Sequence, residues 1–190
     1  AWHVIRGYLY QIQHTVERWL TLGADEVLEL ETGEDIDVVT RSCPVGNTDP
    51  QEIGRVLGQV KHREAALTLK SADATTALAN FVEHRRANPT SHLLFLYLTN
   101  ASTGRERLSP FLDGTHGVAA WNALRPAPVP GETLSAIRKL LNEASRPDKL
   151  PDNTWDAYQS FLSSSTDADL LDLIASFEWS VDARDCDDLQ

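Results

Sequence analysis

An apolar run at residues 92–99, HLLFLYLT, constrains the fold of this chain more than any other segment. It has the length of a strand and almost no polar side chain to turn towards water. Such a strand is covered on both faces, as in a parallel pair, and a parallel pair needs a crossover connection. Residues 71–86 supply a crossover helix, with Ser71 as its N-cap and Asn88-Pro89 beyond its end. We therefore expect a β-α-β unit here.

Three shorter strands are predicted before this unit. Residues 26–31 and 35–40 alternate apolar and polar side chains, and the intervening residues 32–34 suit a hairpin. Residues 55–61 form the third strand, which ends in polar side chains. An amphipathic helix at residues 7–22 precedes all three. The predicted order is αβββαβ, with the last strand parallel to the third.

The rest of the chain is predicted to be helical. Four segments have helical character: 117–124, 132–144, 154–162 and a last helix to about 177. A proline-rich connector at 126–130 follows the first segment, and Thr166 and Asp169, at capping-box spacing, begin the last. We expect a core at residues 1–116 and a helical extension at 117–190, which continues into or docks on further domains of a longer protein.

Composition narrows the classes of protein. With 42% hydrophobic residues the chain is expected to be globular, and no run approaches the roughly 18 apolar residues of a membrane span. No export signal is recognisable at the start, so we expect a cytoplasmic protein without membrane contact. Cys43 and Cys186 lack metal-ligand spacing and are interpreted as free thiols. Because the net charge is −11, any contact with nucleic acid must be local.

Polar residues gather on the predicted strands. Alternation places Asp35 and Asp37 on one face of their strand, and Gln59 and Lys61 on one face of theirs, with Glu31 at the hairpin. Carboxylate and amide oxygens suit Mg²⁺ or Mn²⁺, and a nearby lysine can orient an attacking water. These residues could equally be solvated positions on a half-exposed hairpin. A site is favoured because aspartate is depleted in strands.

Five segments carry a family resemblance: GYLYQ at 7–11, ETGEDIDVV at 31–39, QVKHR at 59–63, ALTL at 66–69 and LTNAS at 98–102. Together with the element order, they resemble the PD-(D/E)xK nuclease superfamily in its QxK variant, as in Mrr-like restriction enzymes. More narrowly, they look like the double-stranded DNA endonuclease effector domain of bacterial antiphage systems. Such domains occur in CD-NTase systems, Lamassu complexes and AVAST NTPases. The resemblance covers about the first hundred residues.

The resemblance implies a restriction-endonuclease-like core and a role for each polar residue. Asp37 would be the metal-binding aspartate with Asp35 as a close alternate, Gln59 the second ligand and Lys61 the catalytic lysine. Glu31 would be a third acidic contributor. Alternation alone does not separate Asp35 from Asp37. A neutral glutamine weakens metal affinity relative to glutamate, so we expect firm binding only with DNA phosphate present.

Other residues have two interpretations each. Gln11 lies where some relatives place a residue near the metals, or it is a surface amide. We expect His62 to point away from Lys61 and to be structural. Candidate DNA contacts are Arg63, Lys70 and Arg105. Core packing is preferred over base stacking for the five tryptophans, Trp2, Trp19, Trp121, Trp155 and Trp179.

The predicted function is Mg²⁺-dependent cleavage of double-stranded DNA without strong sequence specificity. The chain would be the effector of an antiphage complex, controlled by partner subunits or a fused sensor domain. One active site cuts one strand, so oligomerisation is expected for activity. Two alternatives stay open: a catalytically silent acidic interaction module that docks through the helices after Pro126, and a nuclease acting on RNA or single strands.

Overall fold

The computed structural model describes residues 2–30, 35–42, 51–107 and 116–183, and it has an α/β fold with a mixed five-stranded sheet. Its helices are α1 Trp2–Leu20, α2 Ala72–Ala87, α3 Gly117–Leu124, α4 Glu132–Asn142, α5 Asp152–Ser164 and α6 Asp167–Ser176. Its strands are β1 Glu26–Glu29, β2 Ile36–Ser42, β3 Gln51–Lys61, β4 Leu93–Thr99 and β5 Phe177–Ser180. The predicted order αβββαβ is confirmed over α1 to β4.

The sheet has the strand order β1-β2-β3-β4-β5. β2 is antiparallel to both β1 and β3, whereas β3 and β4 are parallel, as the apolar run predicted. The predicted hairpin link at residues 32–34 lies outside the described residues. Within the described ranges, no helix is long and apolar enough to cross a membrane.

Both predicted helix caps are confirmed. The Ser71 hydroxyl accepts a hydrogen bond from the Ala74 amide at the start of α2. Thr166 and Asp169 form a reciprocal capping box at the start of α6. Each cap satisfies backbone N–H groups that have no partner within the helix. Local sequence therefore determines where these two helices begin.

The chain forms two compact units. The first comprises residues 1–64, 90–101 and 180–190, and the second comprises 65–89 and 102–179. The polar residues predicted to form a site all belong to the first unit. The division of the chain at residue 116 into a nuclease core and an extension stays a prediction.

Helix α1 packs on the sheet through the face that carries Tyr10 and His14, which helical periodicity did not single out as the buried one. Tyr10 is fully buried against Ile36, Val38 and Val60, and His14 is nearly buried. The preference for core packing of the tryptophans is wrong for Trp2 and Trp19, which are 64% and 62% exposed. It is confirmed for Trp121 and Trp179, while Trp155 is partly buried. Helical periodicity shows which residues share a face, but not which face meets the sheet.

Strand β5 was missed by the sequence analysis, which extended the last helix to residue 177. Side chains of α3 hold its backbone: Trp121 Nε1 donates to the Phe177 carbonyl at 2.9 Å. Asn122 Nδ2 donates to the Trp179 carbonyl at 2.7 Å, and Asn122 Oδ1 accepts from the Trp179 amide at 3.3 Å. These partners are 56 or 57 positions apart in sequence, beyond the reach of local patterns.

Removal of the Asn122 side chain should destabilise the second unit. Asn122→Ala leaves a partly buried backbone N–H and C=O without these partners, which costs about 1–3 kcal/mol. Asn142→Ala is the matched control, because Asn142 is exposed at the end of α4 and donates a local hydrogen bond to the Arg138 carbonyl of the same helix. Urea denaturation should show a lower free energy of unfolding for Asn122→Ala, and a change within about 0.5 kcal/mol for Asn142→Ala. Equal stability of the two variants would contradict this role.

Candidate functional site

Strand β3 divides its side chains between the two faces of the sheet. Val56, Gly58 and Val60 line the side on which α1 packs. Because strand side chains alternate, the odd-numbered residues Arg55, Gln59 and Lys61 belong to the opposite face. The polar residues predicted to carry chemistry therefore share one side of the sheet, away from α1.

Asp35 and Lys61 meet where β2 begins and β3 ends. Asp35 Oδ2 lies 3.9 Å from Lys61 Nζ, and the same oxygen accepts a hydrogen bond from the Val60 amide at 2.9 Å. The side chains of Asp35 and Lys61 are 25% and 41% exposed. The Asp35 carboxylate is thus anchored to the strand by one oxygen while the pair stays open to solvent.

Asp37 has a different environment from Asp35. It is fully buried, and Arg55 Nε donates to its two carboxylate oxygens at 2.8 and 2.9 Å. Arg55 Nη2 donates to Oδ2 as well, and it lies 3.6 Å from Glu29 Oε2. These bonds to Asp37 raise the pKa of the Arg55 guanidinium above its usual value, although partial burial acts in the other direction. The charge of Asp37 is therefore already compensated by a protein cation.

Gln59 and Gln11 complete the surroundings of the β3 end. Gln59 is 8% exposed and pairs in register with Tyr97 of β4, two residues before Lys61. Gln11 Nε2 lies 3.5 Å from the Val60 carbonyl, so α1 reaches the same strand from its other side. Glu31, the predicted third acidic contributor, lies outside the described residues.

Asn100 is a residue of this region that the sequence analysis did not assign. Its side chain accepts from the Arg63 amide at 2.8 Å and donates to the Arg63 carbonyl at 3.1 Å. These two bonds hold the chain just after Lys61 against the end of β4. The available signal was the parallel pairing itself, which brings the ends of the segments QVKHR and LTNAS together.

His62 follows Lys61 and packs on the α1 side, as predicted. Its ring centroid lies 5.7 Å from that of Tyr10 in an edge-to-face arrangement. Tyr10 in turn contacts His14 at 4.5 Å in a similar geometry. Aromatic contacts of this kind contribute to packing. The prediction of a structural role for His62 agrees with this environment.

The predicted DNA contacts have unequal surroundings. Arg63 is partly buried beside the candidate site. Lys70 donates to the Arg107 carbonyl at 2.9 Å and lies 3.4 Å from Glu143, so part of its charge is compensated. Arg105 is exposed. Lys70 and Arg105 belong to the second unit, and the role of all three in DNA binding stays a prediction.

A cavity of about 250 Å³ lies between α1 and the sheet. Its walls are mainly aliphatic, and the strand residues that line it include Val56, Gly58 and Val60. It therefore opens on the face opposite Lys61. Apolar walls offer little to a phosphate group, so we place the candidate site on the polar face.

The donor set of the polar face fits a hard divalent cation. Asp35 offers a partly exposed carboxylate, and Gln59 offers an amide carbonyl on the neighbouring strand. Mg²⁺ commonly takes one or two protein carboxylates and completes its shell with water and substrate phosphate. Within the described residues, no three His, Cys, Asp or Glu side chains form a ready metal cluster.

The chain was compared with protein-family models, curated proteins and solved structures. No family model matches it, and no curated protein or solved structure does.

Proposed function

We propose that this chain is a Mg²⁺-dependent nuclease of the PD-(D/E)xK type, in the QxK variant, that cleaves double-stranded DNA. The observation that carries the proposal is the approach of Asp35 to Lys61 at 3.9 Å, with Gln59 two residues earlier on the same strand. A carboxylate and an amide oxygen suit a divalent cation, and a lysine beside them suits the positioning of a water, which together serve metal-dependent phosphodiester hydrolysis.

The proposal gives each group a task. Asp35 and Gln59 would hold Mg²⁺ or Mn²⁺, which when bound polarises the scissile phosphate and stabilises its added negative charge. The Lys61 ammonium group positions the attacking water beside that phosphate. The Val60 amide holds Asp35 Oδ2, so the carboxylate is oriented before substrate arrives.

Asp35 and Asp37, which alternation alone does not separate, have different roles in the proposed site. Asp35 is the better metal ligand because it is partly exposed and lies beside Lys61. Asp37 is a positioning residue, because Arg55 occupies both of its oxygens and no solvent reaches it. The ion pair between Asp37 and Arg55 crosses from β2 to β3 and would keep the two strand ends in register.

The wider role follows from charge and selectivity. A net charge of −11 opposes approach to DNA, so basic partner subunits or a fused sensor domain would supply attraction and control. We propose that the chain is the effector of a bacterial antiphage complex, whose nuclease is held inactive until infection is sensed. Cleavage of both strands then requires two copies of the site.

Lys61→Ala should abolish cleavage while leaving the fold intact. The Lys61 side chain is 41% exposed, so its truncation removes little burial, whereas loss of the water-positioning group should lower the rate about 100-fold or more. Plasmid nicking by the activated assembly in Mg²⁺ measures the effect. Lys139→Ala, at a lysine that is 62% exposed on α4, is the matched control and should cut normally. Full activity of a folded Lys61→Ala protein would refute the assignment.

The isosteric pair Asp35→Asn and Asp37→Asn should separate catalysis from stability. The amide oxygen introduced by Asp35→Asn can still accept from the Val60 amide, so this variant should unfold at nearly the normal urea concentration while cleaving at least about 100-fold more slowly. Asp37→Asn removes the buried partner of Arg55 and should cost about 2 kcal/mol of stability. Nicking assays and urea denaturation of both proteins are needed. Normal cleavage by Asp35→Asn, together with slow cleavage by a stable Asp37→Asn protein, would assign the metal to Asp37 instead.

Gln59→Glu tests the neutral ligand. A second carboxylate should tighten the binding of Mn²⁺ in the absence of DNA, because affinity for hard cations rises with ligand charge. Isothermal titration of the variant against the original chain measures this change. Gln159→Glu, made on α5 in the second unit, adds the same charge elsewhere and should leave Mn²⁺ affinity unchanged. An unchanged affinity of Gln59→Glu would exclude residue 59 as a ligand.

The nucleic-acid substrate is tested by three parallel incubations of the assembly with Mg²⁺. Duplex DNA should be cut, and RNA and single-stranded DNA should be cut more slowly or not at all. Preferential cutting of RNA or single-stranded DNA would support the nuclease activity but show that duplex DNA is not its preferred substrate. No cutting of any of them, together with no effect of Mn²⁺ on stability, would favour a silent interaction module.

A further inference from the structure

Helix α1 carries an apolar stripe on the side that faces away from the sheet. The stripe follows a spacing of 3, 4, 3, 4 and 3 residues and consists of Trp2, Ile5, Leu9, Ile12, Val16 and Trp19. All six side chains are exposed, by between 42% and 64%. This spacing is the alternation of a and d positions in a heptad repeat, the pattern by which one helix packs along another.

The stripe is distinct from the face that holds α1 in place. Tyr10 and His14 are buried and occupy b and f positions of the same heptads. One side of the helix thus packs on β2 and β3 while the a/d side stays in solvent. Because the sheet already stabilises α1 as a helix, a partner that packs on the stripe bears no cost of helix formation.

The exposed apolar surface is concentrated on this one helix. Of the thirteen large hydrophobic side chains that are exposed in the described part of the chain, nine belong to α1. The other four, Val27, Leu30, Ile53 and Val129, lie outside helices. Among the described helices, α1 alone therefore offers an exposed a/d stripe, and the helix that matches it is α1 of a second copy.

The stripe is also self-complementary. Its spacing reads the same from either end, with a tryptophan at each end and aliphatic residues between, so two copies related by a twofold axis align all six positions. None of the six is charged, which allows close approach of chains that each carry −11. A fully buried tryptophan covers about 150–250 Å². The four tryptophans of two stripes, each more than 60% exposed, therefore supply on the order of 500 Å² of the roughly 1,200 Å² at which specific interfaces begin, and the eight aliphatic side chains add to it.

We infer that α1 is a dimerisation surface, on which the a/d stripes of two copies of this chain pack together as a short two-helix coiled coil. The inference rests on the exposure and spacing of α1 and does not depend on the proposed nuclease activity. The two can therefore fail separately, since one is measured by mass in solution and the other by cleavage.

Sedimentation velocity of the 190-residue chain over a concentration series tests the inference. The original chain should form dimers, and Val16→Glu should shift it to monomer, because a charge enters the stripe. Val4→Glu is the matched control: the same substitution is made on the same helix at an exposed side chain off the stripe, and dimers should persist. Far-ultraviolet circular dichroism of each variant verifies that the helices are retained.

A milder variant guards against misfolding. Leu9→Ala combined with Val16→Ala removes apolar side-chain area from the stripe, while alanine favours the helix. This variant should raise the dimer dissociation constant by about tenfold or more. If the original chain stays monomeric at every concentration, the inference is overturned, and the stripe would then bind a partner other than a second copy. Equal dimerisation of the original chain, Val16→Glu and the double alanine variant would overturn it as well.

Discussion

The position of β3 between antiparallel β2 and parallel β4 is the constraint on which the rest of the first unit depends. Its alternating side chains supply apolar contacts to α1 from one face and polar groups to the candidate site from the other. A register slip of one residue would exchange these faces, placing Lys61 and Gln59 against α1. The same strand therefore connects packing with chemistry.

Two ion pairs along β2 and β3 have different physical characters. Asp37 and Arg55 form a multiply bonded pair in which the carboxylate is buried and the guanidinium is partly buried, so loss of Arg55 would leave an uncompensated buried charge. Asp35 and Lys61 approach less closely and stay accessible. The first pair ties β2 to β3, whereas the second stays accessible to the cation and phosphate of the proposed reaction. Such a division is common where a preorganised scaffold supports a reactive site.

The proposed nuclease activity and the inferred dimer are linked by one chemical requirement, the cleavage of both DNA strands. A single site of this kind breaks one phosphodiester bond, whereas a double-strand break needs two sites acting on opposite strands. The α1 stripe and the candidate site are on opposite faces of the β3 end, so pairing through α1 would leave the polar face open to DNA. Control could then act on assembly rather than on the reacting groups.

The αβββαβ order, the parallel pairing of β3 with β4 and the caps at Ser71 and Thr166 could all be predicted from the amino-acid sequence, because they depend on local periodicity and local hydrogen bonds. Which of the two aspartates meets Lys61 could be learned only from the folded chain. The sequence pattern treats Asp35 and Asp37 alike, and the difference arises from Arg55, eighteen positions beyond Asp37. The tertiary structure likewise decided which face of α1 is buried and how α3 holds β5, since both depend on the fit between segments that are distant in sequence.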